Sequence, residues 1–471
     1  MSLLGPDGKP IRRANEAPGV REFVQQAKTM ARQGAPDQAL QQMVFAFQRD
    51  VKSDLVVNTT CELLEQLAQA RGDEQNEELQ LFLHLRENRD DPQIYYFIGS
   101  RFLQLGQYVI SRPFLAQARQ MLEGEQNELS QTVDVEYSQA LMELGAYQQA
   151  VDILQNFNDT YGGLPVELIL KMVECFALMR QLDNASALYG IINEEALRAN
   201  KNLEDWHEEV GDMLARVQDF ESQEEMGLRE WHYVQTRGML LETNPMEDVP
   251  GERFVLFTPS YEDLAYILGM TAALLDQKGY TPHRLLWLGP GSEPLARTFA
   301  EWWDIAEENI RAYQPGDNTE DEDDLGLLVM AHSYDVFTLQ DEQALFELIE
   351  AREGLILFTL DLHWTERQPI VPDIAGFMSQ VCYLPWEAKV EQQGNEITAT
   401  PIAPEDRPDP RDIAKEIAAQ FPEEKECDEF AEETLALYAA CTDLILDHRD
   451  GELTRKSLVT HSPIQSPRIG F

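Results

Sequence analysis

Positive charge is scarce in this 471-residue chain: 37 Lys and Arg, only ten of them Lys, stand against 84 Asp and Glu, for a formal net charge of −47. Such a surface repels polyphosphate at long range, which excludes general nucleic-acid and anionic-membrane binding as expected activities. Cysteine is equally sparse. Cys61, Cys175, Cys382, Cys427 and Cys441 make no CxxC pair and read as buried thiols of a reducing compartment. No long hydrophobic run occurs either, since Val166 to Met179 is broken by Glu167, Lys171 and Glu174. A soluble, cytoplasmic protein without membrane insertion is expected. Catalytic signatures are missing as well: there is no GK[ST] P-loop, no GxSxG and no HExxH.

What is present is a period. Glycine-ended helical turns occur at Gly34, Gly72, Gly106 and Gly145, with degenerate copies at Arg180 and Gln218; the separations are 38, 34, 39, 35 and 38 residues. Apolar residues recur at helical spacing from Val20 to about Leu241 with few β-branched runs, which predicts helix throughout. A two-helix unit of this length cannot bury its apolar stripe alone, so neighbouring units must stack. In the clearest copy, Tyr137, Leu141 and Leu144 line a first helix, Gly145 makes the turn, and Tyr147, Ala150, Val151 and Leu154 face back from the second.

The segment Gly145-Ala146-Tyr147-Gln148-Gln149-Ala150 resembles the turn of the tetratricopeptide repeat family, as does the start Gly106-Gln107-Tyr108 with Ser111 at the small-residue position. The resemblance spans residues 20 to 240 and implies an α-solenoid with a partner-binding groove. A subfamily grips acidic tails with Lys and Asn on its first helices. Here the implied groove positions are Tyr96, Ser100, Val135, Gln139, Leu170 and Glu174, so that clamp is missing and a protein or peptide of neutral to basic character is the expected partner.

Beyond Thr243–Gly251 short apolar runs alternate with helical patterns. Strands are expected at 253–258, 284–288, 310–313, 325–331, 355–360, 381–384 and 396–400, with helices at 262–278, 293–308 and 341–352. This alternation predicts an α/β domain with a mostly parallel sheet. The expected organisation is a loose arm (1–19), a repeat domain (20–241), an α/β domain (250–400), a helical extension at 401–450 and a mobile tail (451–471).

Ligands of open α/β sheets collect beyond the carboxyl ends of strands, where this chain places Thr258-Pro259-Ser260, Gly289-Pro290-Gly291-Ser292-Glu293, Asp317, His332-Ser333-Tyr334-Asp335 and Asp361-Leu362-His363. The glycine turn at the start of a helix offers N–H groups to an anion, although Glu293 opposes one. The order strand, GPG turn, helix, then Asp317 resembles the Rossmann-like S-adenosylmethionine-dependent methyltransferases, and the sheet is also similar to phosphoribosyltransferases. Either likeness implies S-adenosylmethionine or another nucleotide-derived ligand at Gly289, Gly291, Ser292 and Asp317. Trp287 and Glu293 depart from the first pattern, and the acidic pair of the second is missing. His332, Asp335, Asp361 and His363 are legitimate metal ligands, but their spacing is uninformative and no metal site is expected. The leading expectation is a protein-interaction adaptor or scaffold whose α/β domain docks a partner or senses a small ligand. The alternative is a transferase acting on a protein selected by the repeats.

Overall fold

The computed structural model describes residues 19–72, 76–193, 197–198, 200–220, 226–241, 254–315, 317, 325–339, 342–350, 354–363, 370–393 and 396–448. The expected N-terminal arm, nearly all of the acidic run after Asp317, and the C-terminal tail lie outside them. Two compact units are present, one up to Glu204 and one from Asp205. Among the described residues no helix is long and apolar enough to cross a membrane.

The first unit is built of antiparallel helices: α1 (Val20–Arg32), α2 (Pro36–Arg49), α3 (Asp54–Arg71), α4 (Glu77–Glu87), α5 (Pro92–Gln104), α6 (Tyr108–Met121), α7 (Glu128–Glu143), α8 (Tyr147–Tyr161), α9 (Val166–Leu178) and α10 (Leu182–Tyr189). Four of its turns close by the same pair of bonds. After α7, Gly145 N–H donates to the Met142 carbonyl at 2.9 Å and Ala146 N–H to Leu141 at 2.8 Å. Gly34 and Ala35, Gly106 and Gln107, and Arg180 and Gln181 repeat it. This Schellman closure satisfies orphan carbonyls only if its pivot is left-handed. The pivot φ values are 85° at Gly34, 72° at Gly106, 71° at Gly145 and 60° at Arg180. The degenerate copy at Arg180 therefore keeps the turn and carries a side chain where glycine is favoured.

Packing follows from small residues at the helix crossings and aromatic ones between hairpins. Ser111 donates to the Gly99 carbonyl at 2.7 Å, and a Cβ on Gly99 would fall 2.6 Å from Leu115. Phe47, Phe82 and Phe114, from α2, α4 and α6, meet at centroid distances of 5.3–5.7 Å. Three buried rings in such contact add to the apolar burial of this part of the core.

The second unit opens with the rest of α11 (Lys201–Val217), then α12 (Leu228–Thr236). These helices were expected to close the repeat domain, but their polar ties run to the end of the described chain. Arg216, 3% exposed, donates to Asp443 at 3.1 Å and to the Val234 carbonyl at 2.8 Å. Arg237 reaches the same Asp443 oxygen at 2.8 Å, and Tyr438 Oη bonds both backbone groups of Leu240. A buried guanidinium needs such partners, and Asp443 lies more than two hundred residues from both arginines in sequence.

The sheet has seven strands, all parallel: β1 (Met239–Leu240), β2 (Phe254–Phe257), β3 (Arg284–Leu288), β4 (Ile310–Ala312), β5 (Gly326–His332), β6 (Leu355–His363) and β7 (Ile374–Cys382). The order is β4-β3-β5-β6-β7, and β1 and β2 both pair with the outer edge of β7. A separate antiparallel pair joins β8 (Ala388–Gln393) to β9 (Glu396–Pro401). Both faces are covered. Leu348 of α15 (Glu342–Glu350) packs with Leu286, Leu328 and Leu357 on one, while Phe299 of α14 (Glu293–Trp303) meets Phe358 on the other. Helices α16 (Pro410–Ala418) and α17 (Glu424–Leu437), in the expected C-terminal extension, pack on α14 and on α13 (Tyr261–Gln277). The strand expected at 381–384 begins instead at Ile374. Its Gly376 breaks the apolar pattern, yet the backbone contact demands it, since a Cβ there would lie 2.6 Å from the Leu360 carbonyl.

Substituting Arg180→Gly relieves a left-handed side chain and should stabilise the protein by about 1 kcal/mol, whereas Gly145→Ala should destabilise it by about 1 kcal/mol. Urea titrations of the full chain followed by helical circular dichroism will show opposite midpoint shifts. Shifts of the same sign would contradict the shared turn geometry.

Candidate functional site

The order in which strands are added to the sheet reverses at β3: β4 lies on one side of it and β5 through β7 on the other. Open parallel sheets place their crevice at such a switch point. The loops meeting there are 289–292 after β3 and 333–338 after β5, and both are lined by polar groups at the carboxyl edge.

Ser292, 0% exposed, turns away from its helix N-terminus. Its hydroxyl lies 2.6 Å from the Leu288 carbonyl and 3.2 Å from Asp335 Oδ2, and accepts from Ala331 N–H at 2.7 Å. It thus ties β3 to β5. Asp335 Oδ2 also accepts from the His332 N–H at 3.1 Å. Burial raises the Asp335 carboxyl, only partly offset by His332 and Ser292, to about 6.

His332 is buried between two carboxylates. Nε2 lies 2.9 Å from Glu387 Oε2 and Nδ1 3.3 Å from Asp361 Oδ2. Burial works against a charged ring, but the bonds and charges of Asp361 and Glu387 outweigh it and lift His332 to about 10. Asp361 Oδ1 accepts from Ser379 at 2.8 Å. Tyr334 stacks on the His332 ring, centroids 4.8 Å apart, and His363 meets Tyr334 edge-on at 6.1 Å. The thiol of Cys382 completes the cluster, pushed up by burial and by Asp361 and Glu387.

The structure therefore unites His332 with Asp361, as two of the four candidate ligands, and sets Asp335 on the backbone side of His332. Glu387, Cys382, Ser379 and Trp386 were missed in sequence. No local motif marks them: Glu387 acts across 55 residues.

The positions expected to hold a nucleotide-derived ligand are lined by carboxylates of the chain. Gly289 is left-handed, φ 93°, but a Cβ there would stand 2.2 Å from Asp335, and one on Gly291 would stand 2.2 Å from Glu387. Carboxylates of the chain itself occupy the space over the glycines and would repel a phosphate or carboxylate. Trp386 Nε1 donates to the Gly291 carbonyl at 3.1 Å and holds the loop down. Glu293 is paired with Arg297 at 2.8 Å. Asp317 is gripped by both terminal nitrogens of Arg311 at 2.6 Å and by Gln314 N–H, so its oxygens are committed to a structural clamp.

In the first unit a polar ladder links the first helices. Tyr96 of α5 donates to Glu136 Oε1 of α7 at 3.0 Å, and Lys171 of α9 donates to Gln139 of α7 at 3.2 Å. Glu136 Oε2 is buried with no hydrogen-bond partner. Burial lowers Lys171, against the upward pull of Glu174, Glu143 and Glu136. Of the expected groove residues, Tyr96, Val135 and Gln139 are partly exposed, while Ser100, Glu174 and above all Leu170, at 0%, are withdrawn into the core. The rotation follows from α9 being apolar on most of its circumference, with eight buried residues.

No family model matches the chain, and no curated protein matches it. Among solved structures it is similar to one described as "MamA MSR-1 C2", at 14% identity over 40% of this chain and 97% of that one, with a TM-score of 0.20. Another, described as "Functional Characterization of Pseudomonas Aeruginosa pilF", matches at 14% identity over 46% and 96%, with a TM-score of 0.23.

Because Glu387 fills the space over Gly291, Gly291→Ala should cost on the order of 2 kcal/mol in the native chain and at least about 1 kcal/mol less in a Glu387→Ala background. A double-mutant cycle in urea measures the coupling. Strict additivity would show that Glu387 is not what the added methyl meets.

Proposed function

We propose that this protein is a protein-recognition adaptor whose helical unit holds a peptide of neutral to basic character along the first helices α5, α7 and α9. The observation that carries this reading is the ladder at Glu136: one oxygen takes the Tyr96 hydroxyl, and the other is buried without a donor. A buried carboxylate oxygen gains most from a charged donor. Nearby, Lys171 is lowered by burial while the charges of Glu174, Glu143 and Glu136 pull it upward, and Phe97 on α5 is 43% exposed as an apolar anchor. Acidic lining with an aromatic anchor suits a Lys- or Arg-bearing segment.

The parallel sheet with its reversal at β3/β5 supports a Rossmann-like reading of the second unit. In the adaptor it serves as a further docking surface. Tyr334, Phe337 and Phe346 support this role, being 41%, 60% and 56% exposed on the segments that follow β5.

Fluorescence anisotropy of the full-length protein against matched basic, neutral and acidic peptides tests the proposal. The basic set should bind best and weaken with salt, and the pair Glu136→Lys with Glu143→Lys should lower its affinity at least about tenfold. Equal binding of acidic and basic peptides, or affinity unmoved by the reversal, would reject it.

A further inference from the structure

The cluster at the carboxyl ends of β5, β6 and β7 has the construction of a metal centre. A ring nitrogen of His332, a carboxylate oxygen of Asp361 and the sulfur of Cys382 lie within 4.8 Å of one another, and all three residues are buried; Nδ1 of His332 is 3.3 Å from Asp361 Oδ2. Each of the first two is oriented by a bond on its far atom. A carboxylate can only accept, so Glu387 at 2.9 Å requires hydrogen on Nε2 of His332. Ser379 holds Asp361 through Oδ1 at 2.8 Å. Nδ1 and Oδ2 are thereby turned toward each other.

Two electron-rich atoms facing each other need a cation between them. A proton can serve, but 3.3 Å is long for a hydrogen bond between charged groups. It matches the separation of about 3.3 Å between nitrogen and oxygen ligands on a tetrahedral ion bonded at about 2.0–2.1 Å. Glu387 behind His332 is the outer-sphere carboxylate that metal-bound imidazoles ordinarily have. A sulfur and a nitrogen in the donor set favour a borderline-soft ion over magnesium or calcium.

We propose that His332 Nδ1, Asp361 Oδ2 and Cys382 Sγ bind one divalent cation of the zinc class, with Glu387 and Ser379 as the outer residues that aim the ligands. Coordination replaces the Nδ1 and Sγ protons, so the ion binds to a neutral imidazole, a carboxylate and a thiolate. The three protein atoms leave a fourth tetrahedral position. The site belongs to the second unit and the ladder to the first, and the site stands whether or not the ladder binds peptides.

The test uses the full-length chain, stripped with a chelator and titrated with Co2+ and then with Zn2+ against a chromophoric competitor, in excess Mg2+ to silence the acidic surface. One Co2+ per chain with a thiolate-to-cobalt charge-transfer band in the near ultraviolet is the expected result. Cys382→Ser should abolish that band, Cys441→Ser should leave it, and Glu387→Gln or Ser379→Ala should weaken Zn2+ about 10- to 100-fold. Co2+ bound by the unmutated protein without the band would overturn the proposal, and that spectrum requires no variant to fold. Zn2+ displaced by Mg2+ would overturn it too, by assigning binding to surface carboxylates.

Discussion

The second unit depends on how a strongly acidic chain places carboxylates inside itself. At the carboxyl edge of the sheet each buried carboxylate is tied to donors from another element. Asp317 takes Arg311, Asp335 takes Ser292 and the His332 amide, and Asp361 takes Ser379 and the His332 ring. At the opposite edge, just before β7, Asp373, 2% exposed, accepts from the Leu357 N–H of β6 at 2.6 Å. Leaving any of these oxygens unpaired in a medium of low dielectric would cost several kcal/mol. The register of β3, β5, β6 and β7 is therefore enforced by polar contacts at the edge as well as by the apolar faces.

The helical unit is governed by a different constraint, the geometry of its turns. Four closures share one hydrogen-bond pattern although their residues differ, and Arg180 shows that the pattern outlasts glycine itself. Backbone satisfaction sets the angle between paired helices, and side chains such as Gly99 and Ser111 then decide how closely they approach. Local rules of this kind repeat from hairpin to hairpin. They leave one face of the first helices free to carry charge, which is where Glu136 and Lys171 stand.

Local order was legible for the same reason. The turns at Gly34, Gly106, Gly145 and Arg180 could be read because helix termination depends on a few consecutive residues. The strands at 284–288 and 355–360 could be read because doubly buried strands form short apolar runs. Strand β7 was misplaced, since Gly376 answers to the Leu360 carbonyl of a neighbouring strand and not to its own neighbours in sequence. Polar residues were correctly expected at the strand ends. Their purpose was not readable: Gly289 and Gly291 looked like an anion cradle, and the space over them belongs to Asp335 and Glu387.

The sequence by itself determined the period of the helical hairpins, the parallel α/β character of the second half and the acidic surface, because each depends on composition or on spacing within a few turns of chain. Only the tertiary structure decided that α11 and α12 join the C-terminal unit, that Leu170 is interior, and that His332, Asp361, Cys382 and Glu387 converge. Those outcomes rest on contacts between residues tens to hundreds of positions apart. Such contacts are selected by strand order and helix packing, and neither leaves a mark at any single position of the chain.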